Sequence, residues 1–205
     1  MEFINNIITA LMNNVPFPIN YGILSIITGT VSFMFFPFFG YIINEFEEME
    51  IRMLARIFGM NFALFIAARL TFIGTITHEL GHAFFAWLFG AKVGEVKLLT
   101  FHHRNELGHV RYFPRGNIIM QHLQMFFTSC APVIVNTFLT ALIIYNWKNI
   151  HHWYLYILAI YLIISFMNHA SMSDTDLDHY FHSGKIVIPL TIGVLFICLL
   201  IFRPV

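Results

Sequence analysis

From Tyr21 to Asn44 the chain carries no charged side chain. Ile23-Leu24-Ser25-Ile26-Ile27 leads into Phe33-Met34-Phe35-Phe36-Pro37-Phe38-Phe39. An apolar run longer than ~18 residues reads as a helix crossing a bilayer, because in hydrocarbon each backbone N–H and C=O must be bonded within the segment. The rest of the chain repeats the pattern. Its residues are 58% hydrophobic and 11% charged, where soluble domains carry ~25% charged residues. The expected fold class is therefore an all-α polytopic membrane protein of about five transmembrane helices, forming a single membrane domain over residues 1–205. The formal net charge is zero, so nothing draws the chain toward nucleic acid. The expected surroundings are a lipid bilayer.

Residues 1–20 mix apolar side chains with asparagine and two prolines, the pattern of a short interfacial helix or a disordered leader. Glu2 without a neighbouring lysine or arginine does not make a basic signal-peptide start. Tyr21 to Asn44 is the first spanning helix, kinked at Pro37, and Glu45 to Arg56 reads as an amphipathic helix at the surface. A second helix of roughly 30 residues runs from Phe58 to Phe89, long enough to tilt, to break near Gly74 or to project from the membrane. Arg69 within it is either a functional intramembrane charge or a snorkelling one. Gly90 to Gly116 is the one long polar stretch, and reads as a β-hairpin inserted after that helix. Its strands are 93–101 and 108–113, turning at His102-His103-Arg104-Asn105-Glu106. A third helix spans Ile118 to Trp147 and a fourth Trp153 to His169. A polar cluster follows at 171–179, then a fifth helix from Ile186 to Phe202. Residues 1–59 thus hold the first crossing, 60–180 the chemistry-bearing core and 181–205 the last crossing. Cys130 and Cys198 lie in apolar segments and read as small buried hydrophobes.

The chemistry sits at His78-Glu79-Leu80-Gly81-His82. On a helix, positions four apart share a face, so His78 and His82 can bind one zinc ion while Glu79 takes a proton from water there. A catalytic zinc usually has a third protein ligand and keeps a position for water. Past Glu79 the only carboxylates are Glu95, Glu106, Asp174, Asp176 and Asp178. The first two belong to the hairpin. The three aspartates lie at a helix boundary, where clustered acids in a membrane protein suggest a cation, and spacing alone does not choose among them. His102, His103 and His109 are also possible ligands, against the plainer reading of surface histidines. Pro132 frees a backbone carbonyl in the third helix. Asn136 nearby either bonds another helix or lines a hydrated cavity.

The hairpin carries Lys92, Lys97, Arg104, Arg111 and Arg115, whereas the turn after the third helix has Lys148 alone. Positive charge favours the cytoplasmic side. That places the hairpin, the histidine pair and the aspartate cluster toward the cytoplasmic side of a multi-pass protein of the cell membrane.

His78-Glu79-Leu80-Gly81-His82-Ala83, a small polar insertion, Ala131-Pro132 with Asn136, and a late aspartate together resemble the site-2 protease family of intramembrane zinc metalloproteases. The likeness covers residues 60–180 and is nearest to compact prokaryotic members without PDZ domains. The family's Leu-Asp-Gly is missing, and Ser173-Asp174-Thr175-Asp176-Leu177 matches the Ser-x-x-Asp-Leu form of divergent members. The resemblance implies one zinc held by His78, His82 and Asp176, with Asp174 and Asp178 in reserve, and Glu79 as general base. It implies that Asn136 orients substrate or an oxyanion, and that the substrates are membrane-embedded or membrane-adjacent proteins. A membrane protease with a glutamate as third ligand fits less well, since no later helix carries one. The alternative from another class is a non-catalytic metal-binding or scaffold protein, a degenerate protease.

Overall fold

The computed structural model describes residues 18–99 and 108–202, with isolated positions before 18. The interfacial segment expected over 1–20 and the turn holding His102, His103 and Glu106 lie largely outside the described residues. The chain is mostly helical: α1 Ile19–Phe58, α2 Met60–Phe65, α3 Phe72–Leu88, α4 Ile118–Tyr145, α5 Trp153–Met167 and α6 Asp174–Ile201. Strands β1 (Lys92–Lys97) and β2 (His109–Phe113) form one antiparallel two-stranded sheet. Val93 pairs with Tyr112 and Val96 with Val110, with an irregularity between them. Among the described residues three helices, α1, α4 and α6, are long and apolar enough to cross a membrane.

Two helices extend beyond the bounds the sequence suggested. α1 does not end near Asn44 but continues through the acidic stretch as one 40-residue helix. Glu, Arg, Met, Ala and Leu are all good helix formers, Arg52 pairs with Glu48 one turn away at 2.9 Å, and the helix stops only before Gly59 at φ 87°. The aspartate cluster is not a loop. Asp174 opens α6, because Ser173 and Asp176 bond reciprocally: the Ser173 N–H donates to Asp176 Oδ2 at 3.0 Å, and the Asp176 N–H to Ser173 Oγ at 3.2 Å. This is a capping box with aspartate in the acidic position.

The expected second helix is interrupted. Between α2 and α3 the chain forms a π-helical segment, Ile66–Leu70, and Thr71 leaves helical geometry at φ −91°, ψ 26°. The freed backbone groups are bonded by α5. Tyr161 donates to the Leu70 carbonyl, Ser165 donates to the Thr71 carbonyl, and the Gly74 N–H donates to Ser165 Oγ, each at 2.8 Å. A break in an apolar helix is tolerated where neighbouring side chains satisfy the backbone in this way. Arg69 lies on this segment and is exposed.

Contacts divide the chain into two compact units. Phe36–Ser183 contains every candidate site residue that is described. Its interior is built from small side chains, among them Ala63, Ala67, Ala86, Cys130, Ala131 and Ala159. These let helix backbones approach closely where burial of apolar surface gives little driving force. In the other unit, the early part of α1 and the late part of α6 meet tightly at Gly29 and Gly184, against Ile192 and the Phe33 ring respectively. Cys130 is buried, whereas Cys198 is exposed on α6, contrary to the buried reading of both; each is a free thiol.

Candidate metal centre

The site is assembled from α3, α4, α6, β2 and the turn after α5. His78 and His82 share one face of α3, and their Nε2 atoms lie 3.2 Å apart. Asp176, in the first turn of α6, places Oδ1 3.5 Å from His82 Nε2. One ligand atom from each of these three residues lies within 4.8 Å of the others, a cluster that can hold a metal ion. Asp174 and Asp178 are exposed, whereas Asp176 is buried. Its Oδ2 accepts from the Ser173 hydroxyl at 2.7 Å as well as from the Ser173 N–H, which leaves Oδ1 turned toward the histidines.

The hydrogen bonds of the two rings show that the donor set fits a cation. His78 Nδ1 lies 2.9 Å from the His169 carbonyl and His82 Nδ1 lies 2.8 Å from the Thr128 carbonyl. A carbonyl only accepts, so each Nδ1 carries a proton, and in the neutral ring each Nε2 presents a lone pair. Two lone pairs and a carboxylate oxygen then face one another, which is repulsive unless positive charge sits among them. A tetrahedral zinc with Zn–N bonds of ~2.0–2.1 Å separates its ligand atoms by about 3.3–3.4 Å, and the observed 3.2 and 3.5 Å bracket that separation.

Both carbonyls are available for a local reason. Proline at 132 has no N–H, so the Thr128 carbonyl lacks its usual donor four residues on, and the His82 Nδ1–H takes that place. The His169 carbonyl lies beyond the end of α5, where carbonyls need partners from outside the helix. It accepts from Asn136 Nδ2 at 2.6 Å as well as from His78. Pro132→Ala restores an N–H that competes for the Thr128 carbonyl. Metal affinity, measured with added zinc by competition with a chromophoric chelator, is expected to fall by ~10-fold or more, in line with other losses of a ligand's hydrogen-bond partner.

Asn136 is fully buried, and its carbonyl oxygen accepts from Thr77 Oγ1 at 2.6 Å. Its amide bonds across to α3 at Thr77 and to the His169 carbonyl after α5, the carbonyl that His78 Nδ1 also meets. Glu79 is buried on α3 and lines the same cavity as the three ligands. The hairpin closes over it at Gly108, where an added Cβ would lie 2.8 Å from Glu79 Cγ and 2.9 Å from the Lys97 and Leu98 carbonyl oxygens. Glu95 stays away from the cluster, paired with Lys97 at 2.8 Å, and that contact holds its carboxyl below the usual range. His109 stands on the cavity wall 3.9 Å from Glu95 and is outside the three-residue cluster.

The cavity measures about 490 Å³ and is also walled by Val110, Tyr112 and His179. Tyr112 and His179 were not singled out from the sequence, and nothing local marks either one. Comparison with protein-family models, curated proteins and solved structures gives no match for this chain.

Proposed function

We propose that the protein is an intramembrane zinc metalloendopeptidase of the kind its sequence resembles, the site-2 proteases. The observation that carries this reading is the convergence of His78, His82 and Asp176 with the Glu79 carboxylate on one cavity inside an apolar helical protein. A scaffold needs the three ligands but has no use for a buried carboxylate beside them.

His78, His82 and Asp176 would hold the ion, whose positive charge would acidify water and polarise the scissile carbonyl. Glu79 accepts a proton as the water oxygen bonds to the carbonyl carbon, and the π pair moves onto the carbonyl oxygen. The C–N bond then breaks, and the same proton passes from Glu79 to the leaving amine. Substrate enters as an extended segment beside β2, since a peptide bond inside a helix is shielded from attack. Strand pairing offers it backbone partners.

In this reading the chain crosses the bilayer five times, with α2, the π-helical segment and α3 together as one crossing. α5 is the short one: its 15 residues span about 22 Å, which calls for local thinning of a ~30 Å core. The basic hairpin puts the site on the cytoplasmic side.

Glu79→Gln removes the base while leaving the metal ligands in place. Cleavage of single-span membrane proteins by purified protein in detergent is expected to fall by ~10³-fold or more, with zinc content by atomic emission unchanged. Full activity in this variant refutes the mechanism. Zinc binding without cleavage in the parent protein favours the scaffold.

A further inference from the structure

Attack on a peptide carbonyl places negative charge on its oxygen, and in a site shielded from water a donor aimed at that oxygen contributes much of the rate. The cavity wall offers few. Asn136 has its amide engaged with Thr77 and His169 behind His78. His109 also lines the cavity, with its buried Nε2 3.9 Å from the Glu95 carboxylate, on the strand face it shares with Arg111, which lies 4.0 Å from Glu95. Tyr112 alternates with Arg111 along β2 and so shares the opposite face with Val110, both on the cavity wall. Its hydroxyl lies 3.3 Å from His179 Nδ1. His179 is three residues beyond Asp176 and shares its face of α6. The phenol is thus tied to the same helix face that carries the third ligand.

Resting on the protease reading, we propose that Tyr112 donates a hydrogen bond to the scissile carbonyl oxygen as it gains charge, and that His179 is its positioning residue. With its hydrogen given to substrate, Tyr112 Oη accepts from His179 Nδ1–H, so the pair stays bonded through the reaction. No proton leaves the phenol. Burial pushes its pKa above the ordinary tyrosine value, which keeps it a donor throughout the physiological range. The proton moved in the reaction travels only between water, Glu79 and the amine.

The test uses zinc-loaded protein in detergent and two peptide probes with the same apolar side chains. One is an N-phosphoryl dipeptide, whose phosphoryl oxygens imitate the charged tetrahedral carbon. The other is a mercaptoacyl dipeptide, which reaches the ion through sulfur and presents no such oxygen. Tyr112→Phe is expected to weaken the phosphoryl probe by ~10²-fold, leaving mercaptoacyl affinity and zinc stoichiometry as in the parent. His179→Ala should show a smaller loss of the same selective kind, and His179→Asn should restore part of it. Equal weakening of both probes by Tyr112→Phe assigns Tyr112 to packing and overturns the inference, as does no change in either. A zinc-loaded parent that binds neither probe removes the protease reading and this inference with it. A parent that binds both, with Tyr112→Phe indistinguishable from it, removes this inference alone.

Discussion

Purified Asp176→Ala protein is expected to lose its zinc, with a fall in affinity beyond the ~10–100-fold that follows loss of a ligand's hydrogen-bond partner. Asp174→Ala and Asp178→Ala should retain the parent stoichiometry. The difference comes from burial and orientation rather than charge. Asp174 and Asp178 are exposed, whereas Asp176 is buried with Oδ2 bonded to Ser173 and Oδ1 3.5 Å from His82 Nε2. Losing that carboxylate leaves two neutral imidazoles to balance a divalent ion in a buried site, and two nitrogen ligands hold zinc far more weakly than a closed set of three. Metal analysis of the three single variants decides the matter. Zinc retained in Asp176→Ala would mean that the ion is held elsewhere. Loss from Asp174→Ala or Asp178→Ala alone would move the third ligand to that residue.

Gly74→Ala is expected to give the largest loss of stability of any single methyl added to the core. A Cβ there would lie 1.9 Å from the Ser165 carbonyl oxygen and 2.8 Å from His169 Nδ1. The obstacle is backbone, which cannot step aside as a side chain does, so α3 and α5 must separate. Their separation also breaks the Gly74–Ser165 bond and the bonds that satisfy Leu70 and Thr71. The cost should exceed about 4 kcal/mol, the range reached only by a few severe mechanisms. It would appear as loss of the cooperative thermal transition in detergent, together with loss of zinc. Gly193→Ala is the control, since an added Cβ there meets nothing within 4 Å. That variant should stay within ~1 kcal/mol of the parent, on the stabilising side by helix propensity. A normal transition in Gly74→Ala would show that the close approach of α3 and α5 is not what holds the site helix.

Where sequence and structure part, the reason is consistent. Hydropathy marks the part of a helix that can lie in lipid, not where the helix ends, so α1 and α6 both run past their apolar stretches into polar residues. The start of α6 was nevertheless written locally, because Ser173-x-x-Asp176 is a helix-start signal as well as a motif carrying a candidate ligand. The break at 66–71 was not. Ile66-Ala67-Ala68-Arg69-Leu70-Thr71 holds neither proline nor glycine, and the groups that stabilise the interruption, Tyr161 and Ser165, lie some ninety residues away. Asn136 was open between two roles because an amide in an apolar helix is equally suited to either, until its partners are known.

The sequence by itself determined the membrane setting, the shared helix face of His78 and His82 with Glu79 beside them, and a short acidic stretch for the missing ligand. Each of these depends on composition or on neighbours within one helical turn. Only the tertiary structure decided which aspartate turns inward, which carbonyls face the Nδ1 atoms of His78 and His82, and that Tyr112 and His179 stand on the same cavity. Those depend on the packing of α3, α4, α5, α6 and the hairpin around one point, and such contacts between segments remote along the chain leave no periodicity to be read.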